Sequence, residues 1–113
     1  MLNQITICGK MVKDAEDRML NSGKCMTTFT VAVSRNYKNA STGEYDADFI
    51  DCLAFDKTGE IVSKYFHKGD TILLVGELQT KLYEDQQGVK RKQYVVLVAR
   101  TFFTSKKNPA SEA

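Results

Sequence analysis

An extended chain sends alternate side chains to opposite faces, and five separate runs of this sequence keep that period while only one segment keeps a helical one. The first, residues 4–12 (QITICGKMV), alternates around Ile5 and Ile7, with Gly9 placed as a β-bulge would place it. Residues 24–34 (KCMTTFTVAVS) set Cys25, Thr27, Phe29, Val31 and Val33 on one face. Residues 47–55 (ADFIDCLAF) set Ile50, Cys52 and Ala54 on one side, and Phe49, Asp51, Leu53 and Phe55 on the other. Residues 70–83 (DTILLVGELQTKLY) place Leu74, Gly76, Leu78, Thr80 and Leu82 inward. Val75, Glu77, Gln79, Lys81 and Tyr83 then point outward, and Gly76 reads as a second bulge. Residues 93–103 (QYVVLVARTFF), rich in β-branched and aromatic side chains, form the last strand.

The connections fit this order. Residues 36–46 and 84–92 are polar, with Gly43 and Gly88 at the turns, so both predict long hairpins. In residues 57–70 (KTGEIVSKYFHKGD) Ile61, Val62, Tyr65 and Phe66 fall at helical spacing, and Gly69 is placed as a C-terminal cap. The pattern predicts an all-β domain of five strands with one short helix between the third and fourth. A five-stranded Greek-key barrel of the OB type requires that arrangement. A split barrel or an SH3-like barrel meets the same pattern.

At 113 residues the chain is one domain, and folding it buries roughly 60–70% of the unfolded surface, enough to need no metal or disulfide. Residues 1–104 are assigned to the barrel and 105–113, which contain the single proline Pro109, to a flexible tail. Cys8, Cys25 and Cys52 lie in apolar strand-like runs without a C-x-x-C pair and read as buried, reduced thiols of a cytosolic protein. No charged n-region with an apolar h-region opens the chain, and no apolar run nears the roughly 18 residues that span a bilayer. A cytoplasmic protein without membrane partners is expected.

Catalytic readings find little support. His67 is the single histidine, placed near the helix end where capping or solvation suits it. The cysteines and histidine lack metal-ligand spacing, and no phosphate-binding loop precedes a helix. Asp14, Glu16 and Asp17 cluster in a segment that reads as a solvated polar turn. No enzyme activity, metal or cofactor is expected.

The aromatic residues are more informative. Phe49 and Phe55 occupy a strand face that the core does not need, roughly 20 Å apart at 3.3 Å per residue. Lys81 and Tyr83 share one surface of the fourth strand, and Tyr37 ends the second between Arg35 and Lys38. Rings beside cations suit single-stranded nucleic acid, because every base offers a π-face and the cations follow the phosphates. Burial against the helix or a second subunit, worth roughly 1.5–3 kcal/mol per phenylalanine, and ordinary exposure account for the same pattern. Tyr45, Tyr65, Tyr94, Phe29, Phe66, Phe102 and Phe103 read as core or hairpin packing.

In this order and spacing, NQITICGKMVKDAEDRMLNSGK, MTTFTVAVSRNYKN and ADFIDCLAFDKTGEIVSKYFHKGDTILLVGELQTKLYED resemble the bacterial single-stranded DNA-binding proteins, over about residues 2–103. The resemblance implies an OB-fold homotetramer that wraps single-stranded DNA without strong sequence preference, in replication, recombination, repair or DNA uptake. It implies base stacking on Tyr37, Phe49, Phe55 and Tyr83, and phosphate contacts from Lys10, Lys57, Lys68 and Lys81, with Arg35 and Lys38 close by.

Three departures from the family's pattern stand out. Many members carry tryptophan where this chain has Tyr37, Phe49 and Tyr83. Proline is common where Ala15 stands. Asp51 occupies a position that is basic or neutral in relatives, and a carboxylate facing phosphates is expected to weaken binding unless a neighbour such as Lys57 compensates. The chain also ends in NPASEA, without the acidic proline-phenylalanine tip that recruits repair proteins. The expectation is therefore either a naturally short form, encoded by a bacterial chromosome, phage or plasmid, or a truncated piece of a longer protein, in both cases without tip-mediated recruitment.

Overall fold

A computed structural model of the chain describes residues 1–104. Its strands are β1 (Ile5–Met11), β2 (Glu16–Met19), β3 (Cys25–Lys38), β4 (Tyr45–Phe55), β5 (Thr71–Glu84) and β6 (Lys90–Phe102), with one helix, α1 (Asp56–Tyr65), between β4 and β5. The sheet runs β1-β5-β6-β4-β3-β2, and β1 pairs again with β3. Five strands thereby close a barrel, and β2 lies outside it as a short addition to β3. The β4–β6 pairing is parallel while the others are antiparallel, as the Greek-key path of an OB fold demands. The expected fold class is the observed one, and the assigned tail 105–113 lies outside the described residues.

The core follows the alternation. Ile7, Met11, Phe29, Val31, Cys52, Ala54, Ile72, Leu74, Val96 and Val98 fill the barrel, and Val62 and Phe66 from the α1 segment close one end. Gly9 is not a bulge, since β1 keeps an unbroken register with β5 from Ile5 to Lys10. It permits a close approach instead: a Cβ there would stand 2.5 Å from the Ala32 carbonyl oxygen. Gly76 does sit at a register shift, between Val75 and Gly76.

Several expectations need correction. Residues 16–19 are a strand, because their backbone pairs with Thr28 through Cys25, and Asp17 is bonded as well as solvated. The buried Thr27 hydroxyl donates to Asp17 Oδ1 at 2.6 Å and the Ser63 hydroxyl donates to the same oxygen at 2.8 Å, tying β2, β3 and α1 together. Gly69 does not cap the helix. Phe66 is the extended C-cap residue, and Gly69, at φ +89°, serves the next turn, where Asp70 N–H donates to the His67 carbonyl. Cys8 is exposed, Cys25 half-buried and Cys52 buried, all three unpaired.

Leu78, Thr80 and Leu82 are exposed rather than inward. Past Leu78, whose partner Val96 still fills the barrel, β5 and β6 leave it as a two-stranded arm (residues 79–84 with 90–95), so the inner parity no longer faces a core. The same departure exposes Tyr94. Asn3 clips the base of this arm, its side-chain amide donating to the Leu78 carbonyl at 2.8 Å and accepting from Leu78 N–H at 3.0 Å. A second arm is formed by β3 and β4, which run together as far as Lys38 and Tyr45.

Replacing Asp17 by Ala strands the buried Thr27 hydroxyl, an expected loss of about 1–3 kcal/mol in urea unfolding. These hydrogen bonds, Thr27 first and Ser63 second, hold the Asp17 carboxyl below its ordinary value. Its stabilisation is therefore complete above the unfolded pKa near 4 and is lost as pH falls through the lower folded value. The gap between wild type and variant should narrow in acid below about pH 4. Equal stability at neutral pH would contradict this role.

Candidate nucleic-acid interface

Strand register decides which outward side chains meet. Phe49 lies opposite Ala32, Asp51 opposite Thr30, Leu53 opposite Thr28 and Phe55 opposite Met26. Lys10 lies opposite Ala32 from the other side, so Lys10, Ala32 and Phe49 form one cross-strand row, about 10 Å from first to last at the usual strand spacing. On the β5–β6 arm Lys81 lies opposite Gln93, and Tyr83 opposite Arg91. Phe49, Asp51, Leu53, Phe55 and Lys10 thus share the outer barrel surface, and Lys81 and Tyr83 continue it along the arm.

The four expected stacking residues are placed differently. Phe49 is 67% exposed, Tyr37 65% and Tyr83 49%. Phe55 is half-buried, with Lys24 Nζ 5.6 Å from its ring centroid. Its direction is set by a sharp strand-to-helix junction: Asp56 adopts φ +50°, and its carboxylate accepts the Cys25 N–H at 3.1 Å. Tyr37 stands on the β3–β4 arm beyond the last regular pair at Ser34, near Arg35.

The cations separate into free and engaged ones. Lys10 and Lys81 are exposed and have no ion-pair partner among the described residues. Arg35 holds Asp48 in a fork, with Nε to Oδ2 at 3.1 Å and Nη2 to Oδ1 at 2.8 Å. The Asp48 carboxyl is consequently held low, mainly by the Arg35 hydrogen bond. Lys38 stands 5.8 Å from the Tyr45 ring. Lys68 is exposed in the turn after α1, its backbone N–H donating to Asp14 Oδ1 at 2.9 Å. Lys57 lines a groove of about 620 Å³ beside α1, with Asp17, Asp56 and Glu60 among its walls, and is not among the residues that line the Asp51 groove. The cations beside Asp51 are Lys81 and Lys13, which line a groove of about 310 Å³ floored by Leu53 and Val95. Both floor residues are buried yet lie outside the barrel core.

Sequence reasoning missed Lys24 and Lys13. Lys24 was legible only through the Met26–Phe55 pairing that brings the start of β3 beside the end of β4. No cluster of three or more His, Cys, Asp or Glu fit to hold a metal occurs among the described residues. No described helix is long and apolar enough to cross a membrane.

OB barrels take oligonucleotides and oligosaccharides on the face of their second and third strands and on the flanking loops. Those are here the β3–β4 face, the β1–β3 connection that carries β2, and the β5–β6 arm, so fold and surface define an OB-type binding module. The chain belongs to the single-strand binding protein family, whose model matches residues 2–104. It is 38% identical over 112 residues to a single-stranded DNA-binding protein of Enterococcus faecalis, covering 99% of this chain and 58% of that protein. It is 41% identical over 102 residues to single-stranded DNA-binding protein 3 of Streptococcus agalactiae, covering 90% and 72%. With single-stranded DNA-binding protein 1 of Staphylococcus aureus it shares 42% over 88 residues, 78% of this chain and 52% of that one. The chain thus spans 52% to 72% of the length of these relatives. The family is one of binding proteins without catalytic activity, in line with the expectation that the chain is not an enzyme.

The strand that carries the outer rings also buries a thiol. Cys52 is pushed up to about 12, by burial first and by the adjacent Asp51 charge second. Iodoacetamide at pH 8 should therefore spare Cys52 in the folded protein and modify it only in denaturant. Alkylation of Cys52 in the native state, located by peptide mass, would contradict this packing of β4.

Proposed function

We propose that the chain binds and protects single-stranded DNA without strong sequence preference, stacking bases on Phe49, Phe55, Tyr83 and Tyr37 while lysines follow the phosphates. The observation that carries this reading is the exposure of Phe49 and Tyr83 on the outer surface that also holds Lys10 and Lys81, which have no ion-pair partner among the described residues. Each stacked base is worth roughly 1–3 kcal/mol, and no base-specific contact is needed for it. The relatives' printed names support the ligand. Lys57, Lys68, Arg35 and Lys38 are secondary candidates, Arg35 the weakest because Asp48 already neutralises it.

The homotetramer belongs to the same proposal. Its support is the outer edge of β1 from Ile5 to Gly9, which pairs with β5 on one side only, together with the exposed apolar side of the β5–β6 arm at Leu78, Leu82 and Tyr94. Unpaired edges and apolar faces of this kind invite pairing with another copy. We place the protein in the bacterial cytoplasm, in replication, recombination, repair or DNA uptake.

Replacing Phe49 and Phe55 together by Ala should weaken binding to a labelled oligothymidylate by about 2–6 kcal/mol in fluorescence anisotropy. Unchanged affinity in a folded double variant would remove these rings from the site. A lost oligomer in the same variant would assign them to a subunit interface instead. Log affinity should fall linearly with log salt, and Lys81→Gln should make the slope shallower by about 0.7 if Lys81 neutralises one phosphate. A slope equal to wild type would take Lys81 off the phosphate path.

A further inference from the structure

Asp51 is the one carboxylate among the outward residues of β4 on this surface, and repulsion of phosphates does not explain the setting it occupies. Its Oδ1 accepts the Thr30 hydroxyl at 3.2 Å, and no described cation pairs with it. It lines a groove rather than a convex surface, with Lys81, Gln93 and the ion-paired Lys13 and Glu16 among the other walls and the apolar Leu53 and Val95 as floor. Along β4 it stands two residues from Phe49 on the same face, about 6.6 Å at the usual rise. The groove therefore offers an apolar seat for a flat ring, an acceptor in Asp51 that no described cation neutralises, and a donor in the Gln93 amide.

We propose that this groove is a base-reading subsite in which Asp51 and Gln93 together select guanine. An ionised carboxylate only accepts hydrogen bonds, and unstacked bases are read along their Watson–Crick edges. Guanine presents two adjacent donors there, N1–H and the N2 amino group, followed by the O6 acceptor. Asp51 takes the two donors and the Gln93 side-chain amide donates to O6, which leaves Lys81 to the phosphate. Cytosine and adenine each place a ring-nitrogen acceptor beside their amino donor, and thymine flanks its single N–H with two carbonyls, so each of them turns an acceptor toward the carboxylate. Thr30 holds one oxygen in place without exhausting its lone pairs. The preference rests on the single-stranded DNA reading above and is superimposed on stacking that tolerates any base.

The test compares oligothymidylates in which scattered thymines are replaced either by guanine or by hypoxanthine, which keeps the purine ring, N1–H and O6 but lacks the amino group. Stacking and charge are then matched, and only one donor differs. Wild type should bind the guanine strand at least about fivefold more tightly than the hypoxanthine strand, the scale of a good base-edge contact. Asp51→Asn and Asp51→Ala, checked for folding by thermal melting, should abolish that ratio while binding both strands. A ratio near unity in wild type, or a ratio that survives in both variants, overturns the base-reading role while leaving DNA binding intact. No binding to any of the strands, plain oligothymidylate included, overturns the single-stranded DNA reading and the subsite with it.

Discussion

The barrel closes because β1 changes partners within two residues. It runs beside β5 from Ile5 to Lys10 and beside β3 at Lys10 and Met11, so Lys10 stands opposite both Thr71 and Ala32. Only a residue without a side chain fits just before that switch, where the Ala32 carbonyl approaches Gly9. Closure gives every strand of the barrel an inside, which Ile7, Val31, Leu74 and Val96 fill, and an outside freed from packing duty. The outer surface can then carry phenylalanines, lysines and an aspartate, because none of them is needed to hold the fold. It also fixes the Lys10–Ala32–Phe49 row that sets a cation beside an exposed ring.

Charge is distributed by pairing rather than by excess. The chain carries 16 Lys and Arg against 14 Asp and Glu, too even a balance for a field of one sign to gather DNA. Several acids are occupied locally: Asp48 with Arg35, Asp85 with Arg91, and Asp17 with two hydroxyls. On the outer surface Lys10 and Lys81 stay uncommitted, and Asp51 is their counterpart without being their partner. Locally unpaired cations beside rings can bind a polyanion without a large net charge, since the apolar contacts need no counterion.

Much of this was legible in the sequence, and the misses have a common cause. Period-two alternation placed Phe29, Val31, Cys52 and Leu74 inside and Phe49 and Lys81 outside. Alternation does not report what lies opposite a face, however, so Leu78 and Leu82 read as core although one stands at the base of the arm and the other along it, where among the described residues no second sheet covers that face. Gly9 looked like a bulge because a strand glycine marks either a bulge or a close approach, and only the β1–β3 contact decides between them. β2 was hidden by its composition: Glu16–Met19 shows no apolar alternation, since the strand is exposed along its length and is held by backbone bonds to β3. The stacking candidates were visible as aromatic residues beside cations. Lys57 was drawn toward Asp51 by sequence proximity, whereas the left-handed Asp56 turns the chain into α1 and puts Lys57 in a different groove.

The central claim is that DNA lies along the outer surface of β4 and the β5–β6 arm. Photocrosslinking to an oligothymidylate carrying scattered 5-iodouracils, followed by peptide mapping, addresses it most directly, because the halogenated base attaches to the aromatic ring on which it stacks. Adducts at Phe49, Phe55 and Tyr83 are the predicted result. Adducts confined to α1 and the turn that follows it, with these three rings untouched, would contradict it.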